Sequence, residues 1–357
     1  MIDIDRKKDM LPTHLPEAEL YLPNTGEPSL GWGIVGPGWI ANEFVTAMRK
    51  FTAQRLVAVA SRSNERAAAF ASTHGIERSY GSIEELLSDP HVDVVYVATP
   101  QNEHLNMGLA AIAAGKHVLI EKPIALNAAE AETLADSARK AGVLLMEAMW
   151  SRYLPQASVL RKLVADGVLG DIRAVLADHG QAIEPKPGQR HYRPELGGGA
   201  LLELGIYPLQ LNSMILGAPR KITAIGGMTD TGVDAYATLV LTHDGGAQST
   251  LYTSILDRTP MTAVITGTQA SINIDSCFYA PTSFTLVSSE FSGPTRSWQD
   301  QTGLRVFDGL SWEANALARF VGDGRTESPV HTLDETISIL STIDAARSQV
   351  ASSVLVP

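Results

Sequence analysis

The sequence contains a single cysteine, Cys277, in 357 residues, so no internal disulfide can form. Such cysteine usage is typical of a reducing compartment, and we expect a cytoplasmic protein in which Cys277 is a small apolar strand residue. No apolar run approaches the ~20 residues that a membrane-spanning helix needs. Residues 1–29 also lack the apolar segment of a secretory signal. The sequence therefore predicts neither a membrane protein nor a disulfide-rich one.

Positive charge is also scarce, with 28 Lys and Arg against 39 Asp and Glu and a formal net charge of −11. Because nucleic-acid binding needs clustered basic side chains, we predict no nucleic-acid partner. The nine histidines form no close-spaced ligand set, so we predict no metal site. Hydrophobic residues make up 45% of the chain, which is enough to bury large cores. The length is that of about two domains at roughly 150 residues each.

Strand and helix patterns alternate between residues 31 and 149. The predicted strands are GWGIVG, RLVAVA, VDVVYVAT, HVLIE and VLLME, and amphipathic or Ala-rich segments separate them. Buried strands that alternate with helices predict βαβ units and hence a doubly wound parallel sheet.

The pattern changes after residue 150. Strand-like runs predict an antiparallel sheet; they lie near 219–228, 234–241, 247–256 and 261–274. Helical patterns at 311–321 and 333–350 end the chain. We therefore predict an extension over 1–29, a first α/β domain over 30–150 and a second over 151–357.

The segment GIVGPGWIA joins the first strand to the first helix and has the spacing G-x-G-x-x-G/A at Gly36, Gly38 and Ala41. Gly36 permits a tight turn, Gly38 lets backbone approach a pyrophosphate, and Ala41 allows close helix–strand packing. The helix opens with Trp39 and Ile40, and free N–H groups there favour an anion. The segment predicts a dinucleotide cofactor.

The end of the second strand distinguishes between NAD and NADP. An NAD site usually has an acidic residue there, whereas this chain has Ser61, Arg62 and Ser63. A guanidinium between two hydroxyls fits a 2′-phosphate, which favours NADP over NAD. The alternative is that Arg62 and Ser63 only begin the next helix, with Ser63 as its N-cap.

Two further strands end in motifs at the edge where open α/β sheets bind ligands. HVLIEKPIA places Glu121, Lys122 and Pro123 there, and a cis Lys–Pro bond would direct Lys122 into the crevice. ATPQNEH ends the preceding strand. We predict that four of its residues lie beside the cofactor with Glu121; they are Thr99, Pro100, Asn102 and His104. A catalytic role for His104 is the second choice after a structural or cofactor-side role.

The stretch RPELGGGALLELGIYPLQ, residues 193–210, combines three glycines with a very apolar helix. The glycines would let backbone pass close to cofactor or substrate. In an α-helix, Glu203, Tyr207 and Gln210 share one face, at spacings of four and three residues. The alternative is a core tyrosine and a buried glutamate without a chemical role.

Together, GIVGPGWIA, SRS, ATPQNEH, GKHVLIEKP and ELGGGALLELGIYPL resemble the Gfo/Idh/MocA oxidoreductases from about residue 30 onward. LLMEAMWSRYLP and the tyrosine at 207 are most similar to the subgroup of dimeric dihydrodiol dehydrogenases and NADP-dependent D-xylose dehydrogenases. The resemblance implies a Rossmann domain over 30–150. It also implies a substrate-binding and oligomerisation domain over 151–357, whose open sheet commonly forms a dimer interface.

The same resemblance implies that Lys122 and Tyr207 carry the chemistry and that Trp150 and Arg190 line the substrate pocket. Glu203 stands where the family has aspartate, which puts the identity of the substrate in doubt more than the type of reaction. The expected substrate is a sugar, polyol or cyclic diol. Two alternatives are a sugar oxidoreductase with a tightly held shuttle cofactor and a dinucleotide-binding sensor without turnover.

The chemistry expected of Tyr207 depends on its pKa. A free tyrosine titrates near ~10 and a good base at neutral pH near ~7, a difference of roughly 4 kcal/mol. A lysine ammonium ~4 Å away supplies about that much at an effective dielectric constant of ~20. We therefore expect Tyr207, assisted by Lys122, to remove the hydroxyl proton while hydride passes to the nicotinamide, and to donate it in the reverse direction.

Overall fold

The computed structural model describes residues 11–186 and 188–353. Their contacts form two compact units. The parallel-sheet unit comprises Leu20–Leu154 and Leu304–Leu340. The mixed-sheet unit comprises the described residues up to Glu19, Pro155–Gly303 and the described residues from Ser341 onward. The domain boundaries expected from the sequence stay a prediction.

Nine α-helices occur in the described residues. They are α1 (Trp39–Phe51), α2 (Asn64–His74), α3 (Ile83–Leu87), α4 (His104–Ala113), α5 (Ala128–Ala141), α6 (Pro155–Ala165), α7 (Ile206–Leu216), α8 (Leu310–Gly322) and α9 (Leu333–Ser353). Local sequence sets several of their ends. Asn127 accepts a hydrogen bond from Glu130 N at 2.9 Å and caps α5, and Gly142 ends that helix in the left-handed conformation.

The parallel-sheet unit contains six strands. They are β1 (Gly31–Val35), β2 (Arg55–Ala60), β3 (Arg78–Tyr80), β4 (Val94–Val97), β5 (His117–Glu121) and β6 (Leu145–Ala148). Their order is β3-β2-β1-β4-β5-β6 and every pair is parallel, which confirms the doubly wound sheet. The strand order reverses direction beside β1, so the carboxyl ends of β1 and β4 flank the crevice where such sheets bind ligands.

The mixed-sheet unit contains eight strands. They are β7 (Ile172–Gly180), β8 (Lys221–Met228), β9 (Asp234–Thr242), β10 (Gln248–Ser254), β11 (Ala263–Gly267), β12 (Ala270–Ile274), β13 (Ser283–Ser288) and β14 (Thr295–Gln299). Their order is β14-β13-β12-β11-β7-β10-β9-β8. Only the β7–β10 pair is parallel in this described sheet, so the prediction of a mainly antiparallel sheet is confirmed.

Several details differ from the sequence-based expectations. The predicted run 261–274 is two strands, β11 and β12, and the short strand β3 was missed, as were β7, β13 and β14. β14 has one apolar residue, Trp298, and therefore little apolar signal, whereas β13 alternates the buried Phe284 and Leu286 with polar residues, a pattern typical of a strand. Cys277 lies outside the strands in a left-handed conformation, which corrects its expected place.

Within the described ranges, no helix combines the length and apolar character that a membrane span requires. In the same ranges, no group of three or more His, Cys, Asp or Glu side chains could hold a metal ion.

Candidate active site

The turn between β1 and α1 has the geometry of a nucleotide cradle. Gly36 has φ of 87°, and a Cβ there would lie 2.8 Å from Ala98 O, so the position requires glycine. A Cβ on Gly38 would meet only Gly36 O at 3.9 Å, which leaves open space in front of this backbone. Trp39 and Ile40 begin α1, whose first N–H groups are free of intrahelical partners. The turn can accept a phosphate at this helix N-terminus.

Ser61, Arg62 and Ser63 follow β2. Ser63 caps α2, because its Oγ accepts a hydrogen bond from Arg66 N at 3.3 Å. Ser63 N donates to Ser61 Oγ at 3.4 Å, and Arg62 is exposed. Ser63 is therefore the N-cap of α2, as the alternative interpretation of this segment predicted. This role of Ser63 leaves the guanidinium of Arg62 accessible to a ligand.

Two polar atoms after β4 have no hydrogen-bond partner in the part of the chain that the structure describes. Thr99 Oγ1 and Asn102 Oδ1 are buried and, among the residues that the structure describes, accept or donate no hydrogen bond. Buried polar atoms nearly always have partners, so these two fit a polar ligand at the strand end. Pro100 between them is exposed. Together with the Gly36 turn, these atoms fit a dinucleotide.

His104 connects the ends of two adjacent strands. Its Nδ1 lies 2.8 Å from Pro123 O and its Nε2 lies 3.0 Å from Thr99 O, and the ring is buried. Carbonyl oxygens only accept hydrogen bonds, so each ring nitrogen that bears a proton holds one of these loops. This arrangement supports a structural role and not a catalytic one.

Lys122 follows β5, and its peptide bond to Pro123 is cis. Lys122 N donates to Glu121 Oε2 at 3.2 Å, while the hydroxyl of Tyr96 donates to Glu121 Oε1. Burial, and then the charge of Glu121, raise the pKa of Tyr96 well above its ordinary value. Tyr96 therefore stays a donor that holds Glu121. The side chain of Lys122 is half-buried.

An aromatic group that the sequence analysis did not identify lies beside the dinucleotide turn. Phe307 packs edge-to-face on Trp39 at 5.0 Å between ring centroids and lies 6.0 Å from Trp150. Trp39 is 63% exposed, whereas Trp150 is 4% exposed. The structure thus links a predicted cofactor-side residue to a predicted substrate-side residue within the parallel-sheet unit.

The segment that carries Glu203 and Tyr207 is not one α-helix. Leu201–Gly205 is a π-helical turn that continues into α7, and Pro208, which has no N–H to donate to the preceding turn, accompanies the wider turn. The shared face predicted for Glu203, Tyr207 and Gln210 requires α-helical spacing, which this π-helical turn does not have. Glu203, Tyr207 and Gln210 are all buried.

Glu203 forms an ion pair with Arg190, so the structure brings these two predicted residues together. The glycines before Glu203 make their close approaches to the chain itself. A Cβ on Gly198 would lie 2.6 Å from His191 O, and one on Gly199 would overlap the carboxylate of Asp234. Their expected role toward cofactor or substrate stays a prediction.

Asp234 is a residue that the sequence analysis missed. Its Oδ2 accepts a hydrogen bond from Leu201 N at 2.6 Å, at the start of the helical segment that leads to Tyr207. Burial raises the pKa of Asp234 to about 6, against the effects of the Leu201 N–H and of Arg347. Asp234 follows the turn TDTGV, and no motif in the sequence marks it as a partner of the segment that leads to Tyr207.

Tyr207 is 8% exposed, and its ring contacts His179 and Tyr279, two further residues that the sequence analysis missed. Tyr207 belongs to the mixed-sheet unit and Lys122 to the parallel-sheet unit. Their pairing therefore stays a prediction.

Two family models match the chain. One, described as an oxidoreductase family with an NAD-binding Rossmann fold, matches residues 30–149, and one described as the GFO/IDH/MocA C-terminal domain matches residues 158–273. The chain is 37% identical over 322 residues to a trans-1,2-dihydrobenzene-1,2-diol dehydrogenase of Xenopus tropicalis, covering 89% of this chain and 97% of the relative. The Homo sapiens protein of that name is 34% identical over 323 residues, with 89% and 96% covered.

Solved structures are similar over the same span. An aldose-aldose oxidoreductase from Caulobacter crescentus, complexed with glycerol, has a TM-score of 0.81 and 27% identity and covers 91% of this chain and 98% of its own. A 3-ketoreductase from Actinomadura kijaniata, in complex with NADP and TDP-benzene, has a TM-score of 0.79 and 26% identity, with 90% and 98% covered.

Proposed function

The chain belongs to the Gfo/Idh/MocA family of oxidoreductases, and we propose that it is an NADP-dependent dehydrogenase of a sugar, polyol or cyclic diol. The observation that carries this proposal is the parallel-sheet edge. There, the Gly36 turn, Thr99 and Lys122 follow β1, β4 and β5, three adjacent strands, and Thr99 Oγ1 has no hydrogen-bond partner among the described residues. The names of the relatives support a diol or sugar substrate, and the complex of the 3-ketoreductase supports NADP.

Bound NADP would be held by the Gly36–Ile40 turn, Thr99, Asn102 and Arg62, and it would supply a hydride acceptor.

Tyr207 takes the proton of the substrate hydroxyl, and the ammonium of Lys122 favours the ionised form of the phenol. Glu121, held by Tyr96, fixes the backbone at Lys122. Trp150 and the Arg190–Glu203 pair orient the substrate. In this arrangement the charge of each group changes the pKa of the other, so Lys122 and Tyr207 would titrate as a coupled pair.

Tyr207→Phe tests the role of the phenol. General acid–base groups contribute about 10²- to 10⁴-fold to turnover. We therefore expect turnover, followed at 340 nm, to fall at least 100-fold while NADPH binding, followed by fluorescence, is unchanged. The panel is trans-1,2-dihydrobenzene-1,2-diol, D-xylose, D-glucose and myo-inositol. Turnover by Tyr207→Phe within a few-fold of the parent contradicts the proposed role.

A second candidate is a sugar oxidoreductase that keeps its cofactor and alternates between two sugars. The similarity to an aldose-aldose oxidoreductase favours it. Nucleotide that stays with the protein through gel filtration supports this candidate, and nucleotide that separates contradicts it. A protein that binds NADPH, releases it on gel filtration and turns over no panel member supports the remaining alternative, a dinucleotide-binding sensor without turnover.

We also propose a homodimer formed through the open face of the mixed sheet. Leu176, Ile225, Tyr236 and Val240 are 41–69% exposed, and the strand registers place them on one face. Exposed apolar patches of this kind mark interaction sites. Light scattering after gel filtration should show a dimer that Ile225→Glu converts to monomer, whereas Ser289→Glu in an exposed turn leaves it intact. A monomeric parent contradicts this proposal.

A further inference from the structure

Three rings of the mixed-sheet unit meet at Tyr207. The imidazole of His179 and the ring of Tyr279 stack, with centroids 4.4 Å apart and planes inclined by 17°. The ring of Tyr207 lies 5.3 Å from His179 and 4.7 Å from Tyr279, inclined to them by 50° and 35°. The phenol that is to exchange a proton therefore rests against a stacked pair.

Each member of the pair is itself held. His179 lies on β7 and is completely buried, and its Nε2 lies 3.0 Å from the side-chain nitrogen of Gln181. Tyr279 lies in the connection between β12 and β13, where its hydroxyl is 3.8 Å from the sulfur of Met261. Tyr279 therefore contacts residues of other segments, His179 on β7 and Met261 before β11.

The connection that carries Tyr279 and the loop before β11 that it contacts each contain one unusual backbone conformation, at Cys277 and at Met261 respectively. Cys277 and Met261 have φ of 59° and 57°, in the left-handed region that residues other than glycine rarely adopt. Phe278 N donates to Met261 O at 3.2 Å, and Gln156 donates from its side chain to Ala280 O. Such conformations persist only where the surroundings impose them, and they cluster at functional sites.

We propose that His179 and Tyr279 are positioning residues that fix the ring of Tyr207 for proton transfer, an inference that rests on the proposed function. Because His179 is completely buried, it acts on substrate only through the other two rings. Burial, and then Cys277 and Tyr207, raise the pKa of Tyr279, so it remains a neutral neighbour of Tyr207. Misplacing a reacting group by ~1 Å costs about 100-fold in rate.

The first experiment compares ring-removing and ring-keeping variants. Tyr279→Leu and His179→Leu should lower kcat about 10- to 100-fold on the panel member that the parent turns over fastest, with KM for NADP⁺ within about three-fold. Tyr279→Phe and His179→Phe keep a ring, and their kcat should stay within about five-fold of that of the parent.

Trp298→Leu is the matched control. It breaks the stacked Phe284–Trp298 pair, 5.4 Å between centroids, which joins β13 to the edge strand β14 and includes none of the three rings at Tyr207, and it should not change kcat.

The second experiment needs neither cofactor nor substrate. In protein labelled with ¹³C on the tyrosine rings, the Tyr207 signal is assigned by its loss in Tyr207→Phe. The neighbouring rings shift this signal, so Tyr279→Leu should move it toward the position of a free tyrosine, and Trp298→Leu should not.

The two experiments separate this inference from the proposed function. An inactive Tyr207→Phe, a displaced Tyr207 signal and a low kcat in Tyr279→Leu support the inference. An inactive Tyr207→Phe together with parental kcat in Tyr279→Leu, or an unmoved Tyr207 signal, overturns it and leaves the proposed function intact. An active Tyr207→Phe overturns both.

Discussion

Arg190 and Glu203 form an ion pair whose two members differ strongly in exposure. The side chain of Arg190 is 45% exposed, whereas that of Glu203 is 2% exposed. The guanidinium therefore compensates the charge of the buried carboxylate and can also reach a ligand. Such a pair suits a substrate pocket, because the ion pair holds Arg190 in place while its guanidinium stays accessible to substrate.

Arg190→Ala should destabilise the protein, because it leaves the buried carboxylate of Glu203 without its cationic partner. We expect the free energy of unfolding to fall by about 1–3 kcal/mol. Arg193→Ala is the matched control, since Arg193 and Glu195 form a pair that is 46% and 58% exposed. Its effect should stay below about 1 kcal/mol in the same urea titration. Equal losses of stability in the two variants would show that the buried carboxylate of Glu203 gains no more from Arg190 than an exposed carboxylate gains from a surface pair.

Arg62→Ala should change cofactor preference. The guanidinium is exposed after β2, and a charge-assisted bond to a 2′-phosphate is worth about 1.5–3 kcal/mol. KM for NADP⁺ should therefore rise about 10- to 100-fold while KM for NAD⁺ changes little. Arg66→Ala, in the first turn of α2, is the control and should alter neither constant. A parallel rise in both constants for Arg62→Ala would argue against a role at the 2′-phosphate.

Glu313→Gln should remove a pH dependence of stability. Glu313 is completely buried, and neither carboxyl oxygen has a hydrogen-bond partner among the described residues. Burial, and then the charges of Glu121 and Glu147, raise its pKa well above the ordinary value of 4.5. The folded protein thus keeps a proton that the unfolded chain releases, and stability falls as pH rises through the window between the two pKa values.

Urea titrations at several pH values measure this effect. One extra bound proton corresponds to a loss of about 1.4 kcal/mol per pH unit within the window. Glutamine is neutral throughout, so Glu313→Gln should be less pH-dependent by up to that amount, whereas the exposed Glu290→Gln should follow the parent. Parallel curves for parent and Glu313→Gln would show that Glu313 is ionised in the fold.

Arg152→Met should destabilise the parallel-sheet unit. The side chain of Arg152 is 2% exposed and pairs with Glu335, which is 22% exposed. Burial alone would raise the pKa of Glu335, but His331 and Arg152 lower it below its ordinary value. Breaking such a buried pair costs about 3–5 kcal/mol.

The control for Arg152→Met is Arg220→Met, because Arg220 and Asp244 form a pair that is 72% and 77% exposed. That variant should lose less than about 1 kcal/mol in the free energy of unfolding. If Arg152→Met also lost less than 1 kcal/mol, the buried pair would contribute no more than a surface one.

The sequence by itself determined the parallel sheet and the motifs at its edge, because local features encode them. Strands buried on both faces read as continuous apolar runs, Gly36 is required by its own φ, and Asn127 caps the helix that it precedes. Lys122 could be placed at a strand end for the same reason, since the residues next to it form β5.

Only the tertiary structure decided what surrounds Tyr207. His179, Tyr207 and Tyr279 come from β7, α7 and the connection after β12, and Asp234 reaches Leu201 from the start of β9. These contacts join positions far apart in the chain, and no spacing rule predicts which side chains a folded sheet brings together. The π-helical turn could not be predicted either, because an analysis of apolar residues at α-helical spacing does not distinguish the wider turn before Pro208 from an α-helix.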